Sequence, residues 1–222
     1  MTFTEEQLQS YKTEYISLLQ STNRQGIENV LDWLSNKSDF FSAPSSTIYH
    51  NSCQGGLLAH SLNVYKAAQR IYDSLKDMSL PEKHLDSISQ ESILISTLLH
   101  DICKCNFYKP TTKMYKDDYG SWHRYATYTI DDHNFPMGHG EKSVIMLLTL
   151  GLKLYGHEQC AIRWHMGLSD PGMYLSPYCK NAMMSAINDV PLVEIVMLAD
   201  HYASFMMEHE VDQKLENEVP MN

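Results

Sequence analysis

The adjacent pair His100-Asp101 closes a run, Ile93 to Leu99, that carries no charge. Ionisable groups at the end of a buried helix need partners, because an unpaired buried charge is very costly, and a divalent metal ion supplies those partners well. A helix C-terminus reaching solvent, where the dipole favours histidine, accounts for the same pair, so alone it leaves both readings open. The same holds for four other residues taken singly. His60 falls in an apolar stripe and reads equally as a core histidine. Asp200 ends the stretch Val193 to Ala199, where a carboxylate is expensive unless paired or metal-bound. His139 lies in a Gly138-His139-Gly140 turn opening a helix, and His165 follows Trp164 at a helix end. Neutral imidazole with carboxylate is a donor set suited to Fe, Mn, Zn or Ni, and unlike the thiolate set of a structural zinc.

The elements that must position these residues read as helices. Apolar spacing predicts them over Glu5 to Gln20, Gln25 to Ser35, Gly56 to Leu75, Ser89 to Lys104, Glu141 to Leu152 and Gly156 to His165. A shorter one is predicted from Asn181 to Asn188, and another from Pro191 to about Glu208, with Pro191 in the first turn. Ser42 to Gln54, rich in Ser and Pro, reads as a loop. Between Asn106 and Pro136, aromatic residues flank the turn signal Asp118-Tyr119-Gly120-Ser121, which predicts a β-hairpin. It interleaves Lys109, Lys113, Lys116 and Arg124 with Tyr and Trp residues including Trp122. Lys113, Lys116, Trp122 and Arg124 are therefore candidate substrate-binding residues of a lid that stacks a nucleobase and meets phosphates. A solvated hairpin or an arm for another chain is the competing reading.

Three segments, in this order, carry a resemblance: Gly55-Gly56-Leu57-Leu58-Ala59-His60-Ser61-Leu62, then Leu98-Leu99-His100-Asp101-Ile102-Cys103-Lys104, then Leu198-Ala199-Asp200. They resemble the HD superfamily of metal-dependent phosphohydrolases, over roughly residues 54–205. The resemblance implies an all-α fold, an HD-domain helical bundle, here with the β-hairpin inserted at about residues 106–136 and with N-terminal helices over 5–36. It implies that His60, His100, Asp101 and Asp200 bind one divalent metal, and that His139 and His165 complete a second site with Asp101 bridging. One or two ions are expected, from Fe, Mn, Zn, Ni or Mg. Many relatives have Gly where Cys103 stands, a difference expected to alter helix packing only.

Asp101 and Lys104 are the expected catalytic residues, Lys104 either binding a phosphate oxygen or holding a carboxylate. A divalent ion lowers the pKa of its water toward neutrality and neutralises charge on phosphoryl oxygens. The expected activity is hydrolysis of a phosphoester or phosphoanhydride in a nucleotide or similar phosphorylated small molecule. A nuclease or cyclic-nucleotide phosphodiesterase on the same site is the first alternative. A non-catalytic nucleotide-binding sensor ranks last, because such sensors usually lose the His-Asp pair.

Composition narrows the partners. The 222 residues carry 27 acidic against 17 basic side chains, a net charge of -10, which repels a phosphate polymer and makes long nucleic acid an unfavourable partner. A small phosphorylated substrate survives this argument, because metal ions reverse the sign locally. No apolar run is long enough for a bilayer, the start MTFTEEQLQS lacks a basic-then-apolar leader, and the five cysteines are odd in number without paired zinc spacing. A single domain over 1–222 in a reducing cytoplasm, away from membranes, is expected, and a homo-oligomer is compatible with it. Cys103 and Cys105 read as small buried fillers. His50, His123 and His133 are further candidates near the site, whereas His84, His157, His201 and His209 read as surface or core residues.

Overall fold

Thr4 starts the first helix, α1 (Glu5–Ser21), with a capping box: its hydroxyl accepts from the Gln7 amide while the Gln7 side chain accepts from Thr4. The computed structural model describes residues 3–78, 85, 88–131, 137–208 and 218–220, so His84, His133 and His209 lie outside the described residues. Further helices follow as α2 (Ile27–Asn36), α3 (Gly56–Asp77), α4 (Gln90–Leu98), α5 (His139–Thr149), α6 (Gly156–Trp164), α7 (Pro177–Asp189) and α8 (Pro191–Tyr202). The chain is thus mostly helical, with a small three-stranded antiparallel sheet in the order β1-β2-β3.

Helix α4 is apolar around nearly its whole circumference, and Ile93, Ile95, Leu98 and Leu99 are fully buried between α3 and the helices that follow. Each such side chain contributes roughly 1.5–3 kcal/mol relative to exposure. The helix expected to run to Lys104 ends at Leu98, and the chain resumes only as a short 3-10 turn, Ile102–Lys104. Two side chains explain the break. The His100 Nδ1 takes the Thr97 carbonyl at 2.7 Å, and the Tyr15 hydroxyl of α1 takes the Leu98 carbonyl at 2.8 Å. A continued helix would need both acceptors for its next amides.

Helix α8 departs similarly from the expected end at Glu208: it stops at Tyr202 and widens into a π turn, Ala203–Met207, closed by the Glu208 amide on the Ala203 carbonyl. Strands β1 (Tyr108–Lys116) and β2 (Trp122–Ile130) pair antiparallel, Tyr108 opposite Ile130 and Lys116 opposite Trp122. Asp117 closes their turn by accepting from the Tyr119 and Ser121 amides. The sheet gains a strand that no local pattern announced: β3 (Glu218–Val219), with Arg124 opposite Val219. No single helix among the described residues is long and apolar enough to cross a membrane.

Candidate metal centre

Five segments aim histidines and carboxylates at one point. His60 projects from the first turns of α3 and is fully buried. The loop preceding that helix lies against its backbone, since a Cβ on Gly56 would fall 1.9 Å from the Asn51 carbonyl oxygen. Only glycine permits this approach, and it brings the His50 ring to 4.9 Å from the His60 ring. His100 and Asp101 sit in the break after α4, Asp101 with φ -106° and ψ 18°, a sparsely populated backbone region where active-site residues are often found. His139 opens α5. Its neighbour Gly140 lets α5 touch α6, because a Cβ there would lie 2.1 Å from the Arg163 carbonyl oxygen. That contact seats the His139 ring 5.1 Å from the ring of His165, which follows α6. Asp200 comes from α8.

The ring tautomers follow from the outer partners. His100 Nδ1 and His165 Nδ1 each face a backbone carbonyl at 2.7 Å, that of Thr97 and that of Ile162, so each Nδ1 carries the proton and donates it. His60 Nδ1 faces the Glu208 carboxylate at 3.0 Å and likewise donates. In the neutral rings every Nε2 is then a bare lone pair, and these lone pairs converge on acceptors. His60 Nε2 lies 3.3 Å from His100 Nε2, 3.2 Å from Asp200 Oδ1 and 3.5 Å from Asp101 Oδ2. His100 Nε2 lies 3.3 Å from Asp101 Oδ2. Acceptor packed against acceptor in a buried site is stable only with a cation between them. A proton serves in the metal-free protein: burial opposes the charge on His60, but Glu208 and Asp200 hold its pKa up to about 10. A divalent ion serves better, because it meets all the lone pairs at once.

Asp101 divides the cluster. Its Oδ2 faces His60 and His100, and its Oδ1 faces His139 Nε2 at 2.7 Å and His165 Nε2 at 3.5 Å. Burial would push the Asp101 carboxyl up, but Lys104, with Nζ at 2.6 Å from Oδ2, and the histidines hold it well below the usual range. Asp200 is depressed in the same way by His60 against the effect of burial. Within the cluster, His60, His100 and Asp200 bring donor atoms close enough to share an ion, and so do His100, Asp101 and His165.

Two further groupings fit an ion less well. His50, His60 and Glu208 come together, but Glu208 already accepts from His60 Nδ1 and from Asn63, as a carboxylate orienting a ligand ring does. Cys103 Sγ lies 3.3 Å from His139 Nδ1, yet burial pushes its thiol up to about 12, so it remains a neutral S–H filling the space. Cys105 is buried in the apolar core.

The cluster opens on a cavity of about 1060 Å³. Lys104, Asp101, His139, His165 and Asp200 line it, and the hairpin contributes Tyr125, Ala126 and Thr127. Lys113, Lys116, Trp122 and Arg124 are outside this lining: Lys116 stacks over Trp122, and Arg124 donates to the Pro220 carbonyl. His123 is also away from it, paired with Asp117 and Glu218. His50 does line it, its Nε2 buried without a hydrogen-bond partner among the described residues, and burial lowers its pKa to about 3. His201 lines the mouth, its ring tilted against that of Phe205, and His157 meets Ser92 elsewhere. Glu208 is the member that sequence reading missed. Its contact with His60 joins residues 148 apart, so nothing local announces it.

A helical protein with a buried histidine–aspartate cluster at the meeting of its central helices is the class these observations define. The match to the HD domain family covers residues 57–204, and the chain belongs to that family of metal-dependent phosphohydrolases. It is also 30% identical over 89 residues to the dihydroneopterin 2',3'-cyclic phosphate phosphodiesterase of Methanocaldococcus jannaschii. That alignment covers 40% of this chain and 31% of the relative's length. No solved structure matches the chain significantly.

Proposed function

We propose that the protein hydrolyses a phosphoester of a small phosphorylated molecule, at a centre of one or two divalent ions held by His60, His100, Asp101, His139, His165 and Asp200. The observation that carries this reading is Asp101, which turns one carboxylate oxygen to each half of the cluster. Fe, Mn, Zn, Ni and Mg are the candidate ions, with the nitrogen-rich set favouring the first four. When bound, such ions lower the pKa of water and neutralise charge on phosphoryl oxygens.

The protein's own residues do the remaining work. Lys104 holds Asp101 in place and turns its charge toward the cavity, where a phosphoryl oxygen would lie. The Thr97 and Ile162 carbonyls and Glu208 fix the three ring orientations before any ligand arrives. The net reaction adds a water oxygen to phosphorus, breaks the bond to the ester oxygen and returns a proton to the departing alcohol. The relative's name supports a second form of the same reading, in which the ester is a cyclic phosphate and one of its two P–O bonds opens.

The test is to purify the protein without chelator, measure metal per chain, and follow phosphate release or ring opening from a panel of nucleotides and cyclic phosphates with added Mn²⁺. Turnover that vanishes with chelator and returns with Mn²⁺ supports the reading. Metal-replete protein that turns over nothing in the panel, p-nitrophenyl phosphate and its bis-ester included, contradicts it.

A further inference from the structure

The cavity beside the metal cluster has an unusual division of polarity. Its charged side chains, among the described residues, are Asp101, Asp200 and Lys104, so the cluster end has one fixed cation, and that cation already touches Asp101. Three of the hydroxyls around the wall are also committed. Ser52 and Thr127 both donate to the Thr47 carbonyl, at 2.7 and 2.6 Å, and Ser204 points at Asp200 Oδ1 at 3.5 Å. Away from the cluster the lining is mostly apolar, through Ile48, Tyr49, Leu168, Met197, Leu198 and Phe205, with Ser169 and His201 beside them. Several of these face solvent at the mouth, Leu168 at 67% and Phe205 at 59% exposure. Lys113, Lys116 and Arg124 do not line the cavity and so add no charge to this wall.

From this we infer that the substrate carries a single phosphate group, as a monoester or a cyclic diester, on a body with an apolar or aromatic face, and that nucleoside polyphosphates are excluded. The inference deepens the phosphohydrolase reading and rests on it. One phosphate is met by the ions and Lys104. Each additional phosphate brings another negative charge past the cluster, onto a mostly apolar wall that, among the described residues, has no lysine or arginine besides Lys104. An anion placed there loses much of its water without gaining a lysine or arginine, which is how a binding site rejects it. The apolar lining gains from a planar or hydrocarbon body laid against Leu168, Leu198 and Phe205.

The test uses the metal-loaded protein and two readouts. Hydrolysis is compared for adenosine 5'-monophosphate, adenosine 2',3'-cyclic phosphate, adenosine triphosphate and p-nitrophenyl phosphate. Binding is measured by calorimetry with an uncleavable adenosine phosphonate and a methylene-bridged triphosphate analogue. The triphosphate should have kcat/KM about a hundredfold below the better single-phosphate ester, and its analogue should bind correspondingly more weakly. Phe205→Ala should raise KM for the adenosine ester about tenfold while changing p-nitrophenyl phosphate much less. Leu168→Lys, a change at an exposed position, supplies a cation on this wall and should shift binding about tenfold in favour of the triphosphate analogue relative to the phosphonate. Equal turnover and binding of triphosphate and single-phosphate compounds would overturn the inference while leaving the phosphohydrolase reading intact. Metal-loaded protein inert toward every ester, p-nitrophenyl phosphate included, would overturn the reading and the inference with it.

Discussion

Two buried polar clusters stabilise this fold, and they differ in a way that separates structure from function. Around Arg24 every side-chain nitrogen meets an acceptor. Its Nε bonds Glu91 at 2.8 Å, Nη1 bonds Glu158 at 2.8 Å and the Lys153 carbonyl at 2.9 Å, and Nη2 bonds Glu158 at 2.8 Å. Glu158 also accepts from the Ser92 hydroxyl and the Tyr155 amide, each at 2.8 Å. Each of these charges thus has its counter-charge within the fold. Around Asp101 the outer atoms are equally well partnered, but the inner ones are lone pairs facing lone pairs. A buried cluster complete in itself ties elements together, whereas one whose inner face needs a cation is built for one.

The comparison predicts opposite responses to single substitutions. The largest effect belongs to Asp101→Ala: activity should fall at least about a thousandfold, about 4 kcal/mol of barrier, and metal per chain should drop. Retained metal and turnover in steady-state assays and elemental analysis would place the centre elsewhere. Arg24→Met should do the reverse. It leaves the Glu158 carboxylate buried without its cation, a loss of about 3–5 kcal/mol that lowers Tm by roughly 10 °C. Metal content per folded chain should stay unchanged, which calorimetry and elemental analysis check together.

A smaller effect comes from the junction between cluster and scaffold. Glu208→Gln removes the charge that orients His60, and metal affinity should weaken about 10- to 100-fold while thermal unfolding of the metal-free protein remains cooperative. Unaltered affinity in a competition titration with a metal indicator would make Glu208 a mere neighbour. The last effect is one of pH. The His60 pKa is raised to about 10 in the metal-free fold, against about 6.5 for a free imidazole. The stability this contributes is fully present below about pH 6.5 and is lost as pH rises through the folded value. Urea midpoints of the metal-free protein should therefore fall between about pH 7 and 10 from this contribution, whereas the metal-loaded protein, with no proton on Nε2, should lack that loss. Identical pH profiles with and without metal would contradict the assignment.

How legible each region was in the sequence follows from the range of its contacts. His100-Asp101 stood out because charge ends an uncharged run, and the helices supplying His60 and Asp200 show their apolar spacing locally. The hairpin was legible from its aromatics and its glycine turn, and β1 and β2 pair across that turn. The break at Leu99 was not, because it depends in part on a hydroxyl from α1, 83 residues from Leu98, rather than on Gly or Pro. Arg24 with Glu158 and His60 with Glu208 went unread for the same reason, since partners 134 and 148 residues apart leave no local pattern. Strand β3 is too short, at two residues, to carry a period of its own.

The most direct measurement is anomalous diffraction at the metal's absorption edge, from crystals of protein purified with its metal. The account predicts a peak enclosed by His60, His100, Asp101 and Asp200, and, if a second ion is bound, a peak on the far side of Asp101 toward His139 and His165. A metal-replete crystal whose peaks all lie away from Asp101 would contradict it.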